Sequence, residues 1–249
     1  MPAAPRSSAG RDREFLYSHL LFKLRHYQKV GVVMVYRIVA LCFAILLLSG
    51  CVVGRKHDFL QAKAVFDYQG EPVAVGVQDL RSYVVYGDKD ENFAGLARSG
   101  YGIPYDIGTE SSRPLAQEMA DVIAAALRGS GATVNIVNLS PKMGRTEVIR
   151  AMTSAGTDQS LLLSVREWKT DTWGVTGLYY DLELEAMNAQ GQVLAKQSTS
   201  GEEELGGSAW MFDPQSHTQE AAPQAFKQKI EQLYSGDIAH ALNHLRRPR

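Results

Sequence analysis

The chain has 249 residues, 21% of them charged, and a formal net charge of −1 at pH 7. Residues 1–50 hold seven Lys/Arg and two Asp/Glu, which leaves 19 and 25 for residues 51–249, a formal net of −6. A mildly acidic chain has no electrostatic case for binding nucleic acid. The two cysteines, Cys42 and Cys51, leave no disulfide framework beyond residue 51, so stability must come from a buried core of the size one domain can supply.

In chain order, residues 1–33 form an overlong basic leader with Arg6, Arg11, Arg13, Lys23, Arg25 and Lys29, and read as an upstream extension ahead of a start at Met34. Met34–Cys51 then has one cation (Arg37), an apolar run of eleven residues from Ile38 to Leu48, two small residues and a cysteine. That run is shorter than the about 20 residues a membrane span needs and suits the core of a secretory signal peptide. A span over 30–53 would instead hold Arg37 inside it, at about 2.5–3.5 kcal/mol even on a lenient insertion scale. Leu48-Ser49-Gly50-Cys51 resembles the lipobox of bacterial lipoproteins. The resemblance implies a signal peptide over 34–50, a diacylglycerol on the Cys51 sulfur with further acylation such as palmitate, and a lipidated tether over 51–69. A periplasmic domain over 70–249 follows, and Val52 in place of Asp implies sorting to the outer membrane, on its periplasmic face.

Beyond the tether, Phe59–Tyr68 reads as an edge strand at most, and Val73–Leu80 as a strand in which Val73, Val75 and Val77 alternate with smaller residues. Gly76 within it signals a close backbone approach or a bulge. Residues 81–113 show no sustained periodicity beyond a strand-like Tyr83–Tyr86 and read as a long functional loop, which a short linker over 88–108 could replace without loss of the fold. Leu115, Met119, Val122, Ile123, Ala126 and Leu127 recur at helical spacing after Pro114, with Ser112 as the cap and Gly129 and Gly131 as the stop. Ala132–Leu139 is a strand expected beside a parallel neighbour, and Thr146 is expected to cap a short helix ended by Gly156. Ser160–Trp168 begins apolar on both faces, as a central strand does. Leu178–Met187 and Gln192–Thr199 form an antiparallel hairpin about Asn188–Gly191, and helices are expected over 218–234 and from Gly236 to Leu245.

This order gives an α/β class: one domain, a mixed sheet with helices mainly on one face, preceded by a lipoprotein signal peptide. The block Val73-Ala74-Val75, Asp79-x-Arg81, the Pro114 helix, Gly156-Thr157-Asp158 and the final hairpin resembles the YajG-type periplasmic lipoproteins, whose fold resembles the N-terminal domain of TolB. That resemblance, over residues 70–200, implies a lipid-anchored binding or accessory lipoprotein of the cell envelope, with a structural subunit of an envelope complex or an envelope hydrolase as alternatives.

No HExxH, GxSxG, GxGxxG or P-loop pattern occurs, so no enzyme, cofactor or metal is expected. Asp88-Lys89-Asp90-Glu91-Asn92 alternates oxygen ligands as a calcium loop does but lacks the Gly and closing Glu. His240 and His244, four apart, read as surface histidines. Asp79 and Arg81 are expected to pair and pin the segment that follows. The partner-binding residues expected are Tyr83, Tyr86, Tyr101 and Tyr105 in the 81–113 segment and Trp173 at the end of the hairpin, because aromatic side chains offer large contact area at low entropic cost. The partners expected are the membrane, through lipid on Cys51, and another envelope protein.

Overall fold

The computed structural model describes residues 39, 56–70, 72–206 and 214–244, with the side chains of 214–219 and 244 left aside. The chain divides into Met1–Cys51 and Val52–Arg249, and the second unit holds every element below. The expected signal peptide over 34–50, apart from Val39, and the expected lipidation site Cys51 lie outside the described residues.

Two long antiparallel strands form the spine: β6 (Gln159–Trp173) and β7 (Val175–Asn188), in register from Gln159↔Asn188 to Trp173↔Val175. Gly174, at φ 76°, makes the turn between them, in a left-handed region that favours glycine. β8 (Val193–Glu204) extends the sheet antiparallel beyond β7.

On its other side β6 has two successive partners. Its first half pairs in parallel with β2 (Val73–Asp79), which pairs in parallel with β5 (Val134–Asn138). Its second half pairs in parallel with β3 (Phe93–Arg98), followed outward by antiparallel β4 (Pro104–Thr109) and by β1 (Lys56–His57), parallel to β4. The sheet therefore forks. A bulge between Val165 and Glu167 bends β6 where β2 ends opposite Val165.

The segment 81–113 is thus not a loop. It is a one-turn helix, α1 (Ser82–Val85), followed by the β3–β4 hairpin, and Tyr83–Tyr86, expected as strand-like, is helical through Val85. Phe93, Ala94, Ala97 and Ile107 are buried, so a linker over 88–108 would remove core rather than spare it. At Gly95 a side chain would meet the Thr170 hydroxyl and, at 2.5 Å, its carbonyl oxygen, so only glycine lets β3 close on β6 here.

Alternate residues of the spine face two helix layers. Val73, Val75, Val77, Leu161, Leu163, Leu182 and Leu184 pack under α2 (Leu115–Gly129), α4 (Pro214–Tyr234) and α5 (Asp237–His244). Ala74, Leu162 and Met187 meet α3 (Arg145–Thr153) through Val148 and Met152 on the opposite face. Gly76 is the close approach expected: a Cβ there would lie 2.5 Å from the Met152 sulfur.

Three local expectations are corrected. Ser112 does not cap α2; it sits at φ 62°, and Pro114 holds the N-cap position. Thr146 does not cap α3, because Gly144 precedes the helix and its N–H donates to Glu147 at 2.9 Å. The tether does not reach residue 69, because Lys56 and His57 are already in the sheet and Phe59, Ala62, Ala64, Phe66 and Tyr68 are buried. Residues 62–69 alternate buried and exposed, as a strand would, yet join no ladder. Their backbone bonds go to helix side chains instead: Val65 N–H to Glu231, Gln69 N–H to Asn243, and the Asp67 carbonyl from Tyr234 and Asn243.

Candidate functional site

The fork places an arginine where the two branches part. Arg81 is fully buried and donates from Nε to Asp79 Oδ1 at 2.9 Å and from Nη2 to Oδ2 at 2.6 Å. Its Nη1 reaches the carbonyls of Phe93 at 2.6 Å and Trp168 at 3.1 Å, so one guanidinium ties the end of β2 to β3 and β6. Burial opposes its charge, but the hydrogen bonds and charge of Asp79 outweigh that and raise its pKa above the ordinary value. The expected Asp79–Arg81 pair therefore exists as the seam of the fork.

Of the aromatic residues expected to bind a partner, Tyr83 is spent on the same seam. Its hydroxyl donates to Glu167, its ring meets Phe93 edge-on at 5.4 Å, and Arg81 lies over it. Burial, with Glu167 beside it, pushes its pKa up. Tyr86 is exposed, directly after the last residue of α1.

The remaining three are brought to one end. Register aligns Ala97 with Thr172 and Arg98 with Pro104, so the β3–β4 turn at 99–103 and the β6–β7 turn at Gly174 project side by side. Tyr101 is 97% exposed, Trp173 66%, Ile103 54%, and Val175 and Tyr105 are exposed beside them. Five apolar or aromatic side chains thus cap two adjacent turns, where polar residues and glycine are the rule. Ile103 and Val175 were not among the expected residues. Their signal is a turn glycine flanked by apolar residues, in Gly102-Ile103 and Trp173-Gly174-Val175.

Charge near these tips is internally paired. Arg98 binds Asp171 through two hydrogen bonds, of 2.8 and 2.6 Å. The acidic run Glu202–Glu204 ends opposite Gly177 and so stands back from the turn at Gly174. On the sheet face away from α2, Arg166, Glu183, Lys196, Glu185 and Arg145 form a chain of ion pairs. Burial would raise the Glu183 pKa, but Lys196 and Arg166 hold it below the ordinary carboxylate range.

A crevice lies at the carboxyl ends of β2 and β5, beside the start of α2, lined by Val77, Asp79, Glu91, Gln117 and Leu139 among others. Its two carboxylates oppose an anion at the helix N-terminus, and that of Asp79 is already committed to Arg81. The Asp88–Asn92 run serves as the link into β3, with Lys89 paired to Asp106 at 2.6 Å and the Glu91 carbonyl accepting the Leu115 N–H. Among the described residues no three His, Cys, Asp or Glu side chains gather as a metal requires, and no helix is long and apolar enough to cross a membrane. His240 lies on α5, and the side chain of His244 is outside the described residues.

No family model and no curated protein matches the chain. Solved structures similar to it include the XCC0632 protein of Xanthomonas campestris, at 14% identity over 76% of this chain and 91% of that one, with a TM-score of 0.38. The PelC dodecamer of Paraburkholderia phytofirmans matches at 13% identity over 74% and 95%, with a TM-score of 0.40. The lipoprotein GNA1162 of Neisseria meningitidis matches at 12% identity over 66% and 99%, with a TM-score of 0.27. At this level the likenesses bear on neither family nor function.

Proposed function

We propose that the protein is a lipid-anchored periplasmic accessory lipoprotein of the bacterial cell envelope, without catalytic activity, that binds an envelope component through its aromatic tips. The observation that carries the reading is the exposure of Tyr101, Ile103, Trp173 and Val175 at one end of a ladder-paired scaffold. Apolar groups gathered on a rigid frame and left uncovered are the usual mark of a binding surface. The lipobox-like Leu48–Cys51 supports the anchor, and Val52 supports the outer membrane as its destination.

The test of the anchor is Cys51→Ala in a diderm host. An uncleaved precursor lacking lipid is the expected product, since this sulfur is the one proposed diacylglycerol acceptor. A normally processed, membrane-associated mutant would refute the reading.

A further inference from the structure

We infer that the aromatic tips dock on the lipid–water interface of the membrane that holds the anchor, so that the domain stands on its membrane at two points. The inference rests on the lipid anchor proposed above and names what the tips bind.

The first argument is direction. β1 is parallel to β4, with Lys56 opposite Gly108 and His57 opposite Thr109. The N-terminal end of β1 therefore points toward the end of the sheet where β4 begins, at Pro104, which is the β3–β4 tip.

The second is reach. Gly108 to Pro104 is about 13 Å of strand at ~3.3 Å per residue. Five peptide links separate Lys56 from Cys51, so covalent geometry limits the anchor to within about 18 Å of Lys56. A lipid on Cys51 therefore holds the bilayer surface within range of Tyr101, Ile103, Trp173 and Val175. The far end of the spine, at Asn188–Gln192, is about 45 Å away, the length of β7 at ~3.3 Å per residue.

The third is chemistry. Trp and Tyr favour the headgroup level, where an apolar ring and a polar edge are both satisfied. Among the described residues, Arg98 and Asp171, just behind the two turns, pair with each other. Glu204 lies opposite Gly177, about 10 Å of strand behind Gly174 at ~3.3 Å per residue. Among the described residues the tips thus present uncharged aromatic and aliphatic surface ahead of the unpaired acids, which fits a zwitterionic interface and gives a contact insensitive to salt.

The full chain, processed in a diderm host, has Cys51 lipidated and Cys42 removed with the leader on this reading, so one introduced cysteine is the only free thiol. Tyr101→Cys, Ile103→Cys and, as control, Gln190→Cys are spin-labelled and reconstituted into phosphatidylethanolamine vesicles, with and without phosphatidylglycerol. The expected result is that collisions with oxygen rise and collisions with a water-soluble nickel chelate fall at 101 and 103 but not at 190, equally in both lipid mixtures and in high salt. Labels at 101 and 103 as water-accessible as the label at 190 overturn the inference while leaving the anchor intact. Protection of 101 and 103 in whole envelopes but not in vesicles overturns it too, because the occupant is then a protein. A chain that mass spectrometry shows to carry no lipid on Cys51 overturns the anchor and this inference together.

Discussion

Trp168 and Trp173 stand five positions apart on β6 and differ entirely in surroundings. Trp168 is fully buried and packs edge-on with Phe59 at 6.2 Å and Phe226 at 5.6 Å, under the helix layer. Trp173 is 66% exposed, at the tip, although its backbone is paired to Val175 in the same ladder that pairs Trp168 to Tyr180. The difference is one of coverage: helices lie over the middle of the spine, and the spine with its neighbouring hairpin continues past them. A turn needs only its glycine, so the indole at 173 adds nothing that folding requires, whereas the indole at 168 fills the core.

The largest effects should come from breaking the buried side of this contrast. Arg81→Ala removes the guanidinium that pairs the buried Asp79 and bridges the carbonyls of Phe93 and Trp168, and should cost about 3–5 kcal/mol in urea denaturation. Trp168→Ala should cost about 3–5 kcal/mol by opening a cavity against Phe59 and Phe226. Either loss is a large share of a domain's total of about 5–15 kcal/mol. A loss below about 1 kcal/mol for Arg81→Ala would mean the fork is held elsewhere. Somewhat smaller, Leu163→Ala should cost about 2–5 kcal/mol, since Leu163 lies opposite both Val77 and Leu184 in the centre of the sheet.

The elements legible in the sequence were those whose burial pattern is local. β2, α2, β5 and the β7–β8 hairpin each carry their own period; β2 and β5 are slightly shorter in the structure than their apolar runs, and the hairpin strands run longer because they pair with each other beyond the residues that alternate. β3 and β4 were illegible for a physical reason. Phe-Ala-Gly-Leu-Ala-Arg and Pro-Tyr-Asp-Ile-Gly-Thr have no run of β-branched residues and carry turn-formers within them, and what makes β3 a strand is a non-local partner, Thr170–Thr172 of β6, with Gly95 fitted to it and β4 paired beyond it. The strap over 62–69 has the period of a strand without a ladder, which no pattern of side chains distinguishes. Of the candidate site, Tyr101, Tyr105 and Trp173 were legible as exposed aromatics, but their meeting depends on the β3–β6 register and so needed the fold.

A further contrast separates buried acids that are paired from one that is not offset. Glu118, at the start of α2, is fully buried and accepts from the Ser111 hydroxyl at 2.5 Å. Burial raises its pKa despite hydrogen bonds from Ser111 and the Phe59 backbone. A raised folded-state value means the native protein holds this proton more tightly than the unfolded chain. The stabilisation is therefore complete below the unfolded value near 4.5 and is lost as pH rises through the folded one. Glu118→Gln should accordingly gain on the wild type as pH increases from 4 toward 7 in matched melts. A difference that does not change with pH would show that the carboxylate is not strained by burial.

The smallest effect on stability, and the one that sharpens the comparison most, is expected at the tip. Trp173→Ser and Tyr101→Ser remove side chains that are largely exposed and leave the turn glycines and strand pairing in place. Each should change the unfolding free energy by no more than about 0.5 kcal/mol, the usual range for surface positions without special contacts. The Arg98–Asp171 pair offers an internal check on this separation, because it belongs to the scaffold beneath the tip rather than to its surface. Asp171→Asn weakens the charge across the β3–β6 join at Ala97–Thr172 and should destabilise by about 0.2–1 kcal/mol, the range of partly exposed ion pairs. If Trp173→Ser costs more than Asp171→Asn, the indole is part of the fold after all, and its exposure would no longer mark a binding surface. If it costs less while occupancy of the tip is lost, a stability-neutral change will have separated what the spine needs in order to fold from what it carries at its end.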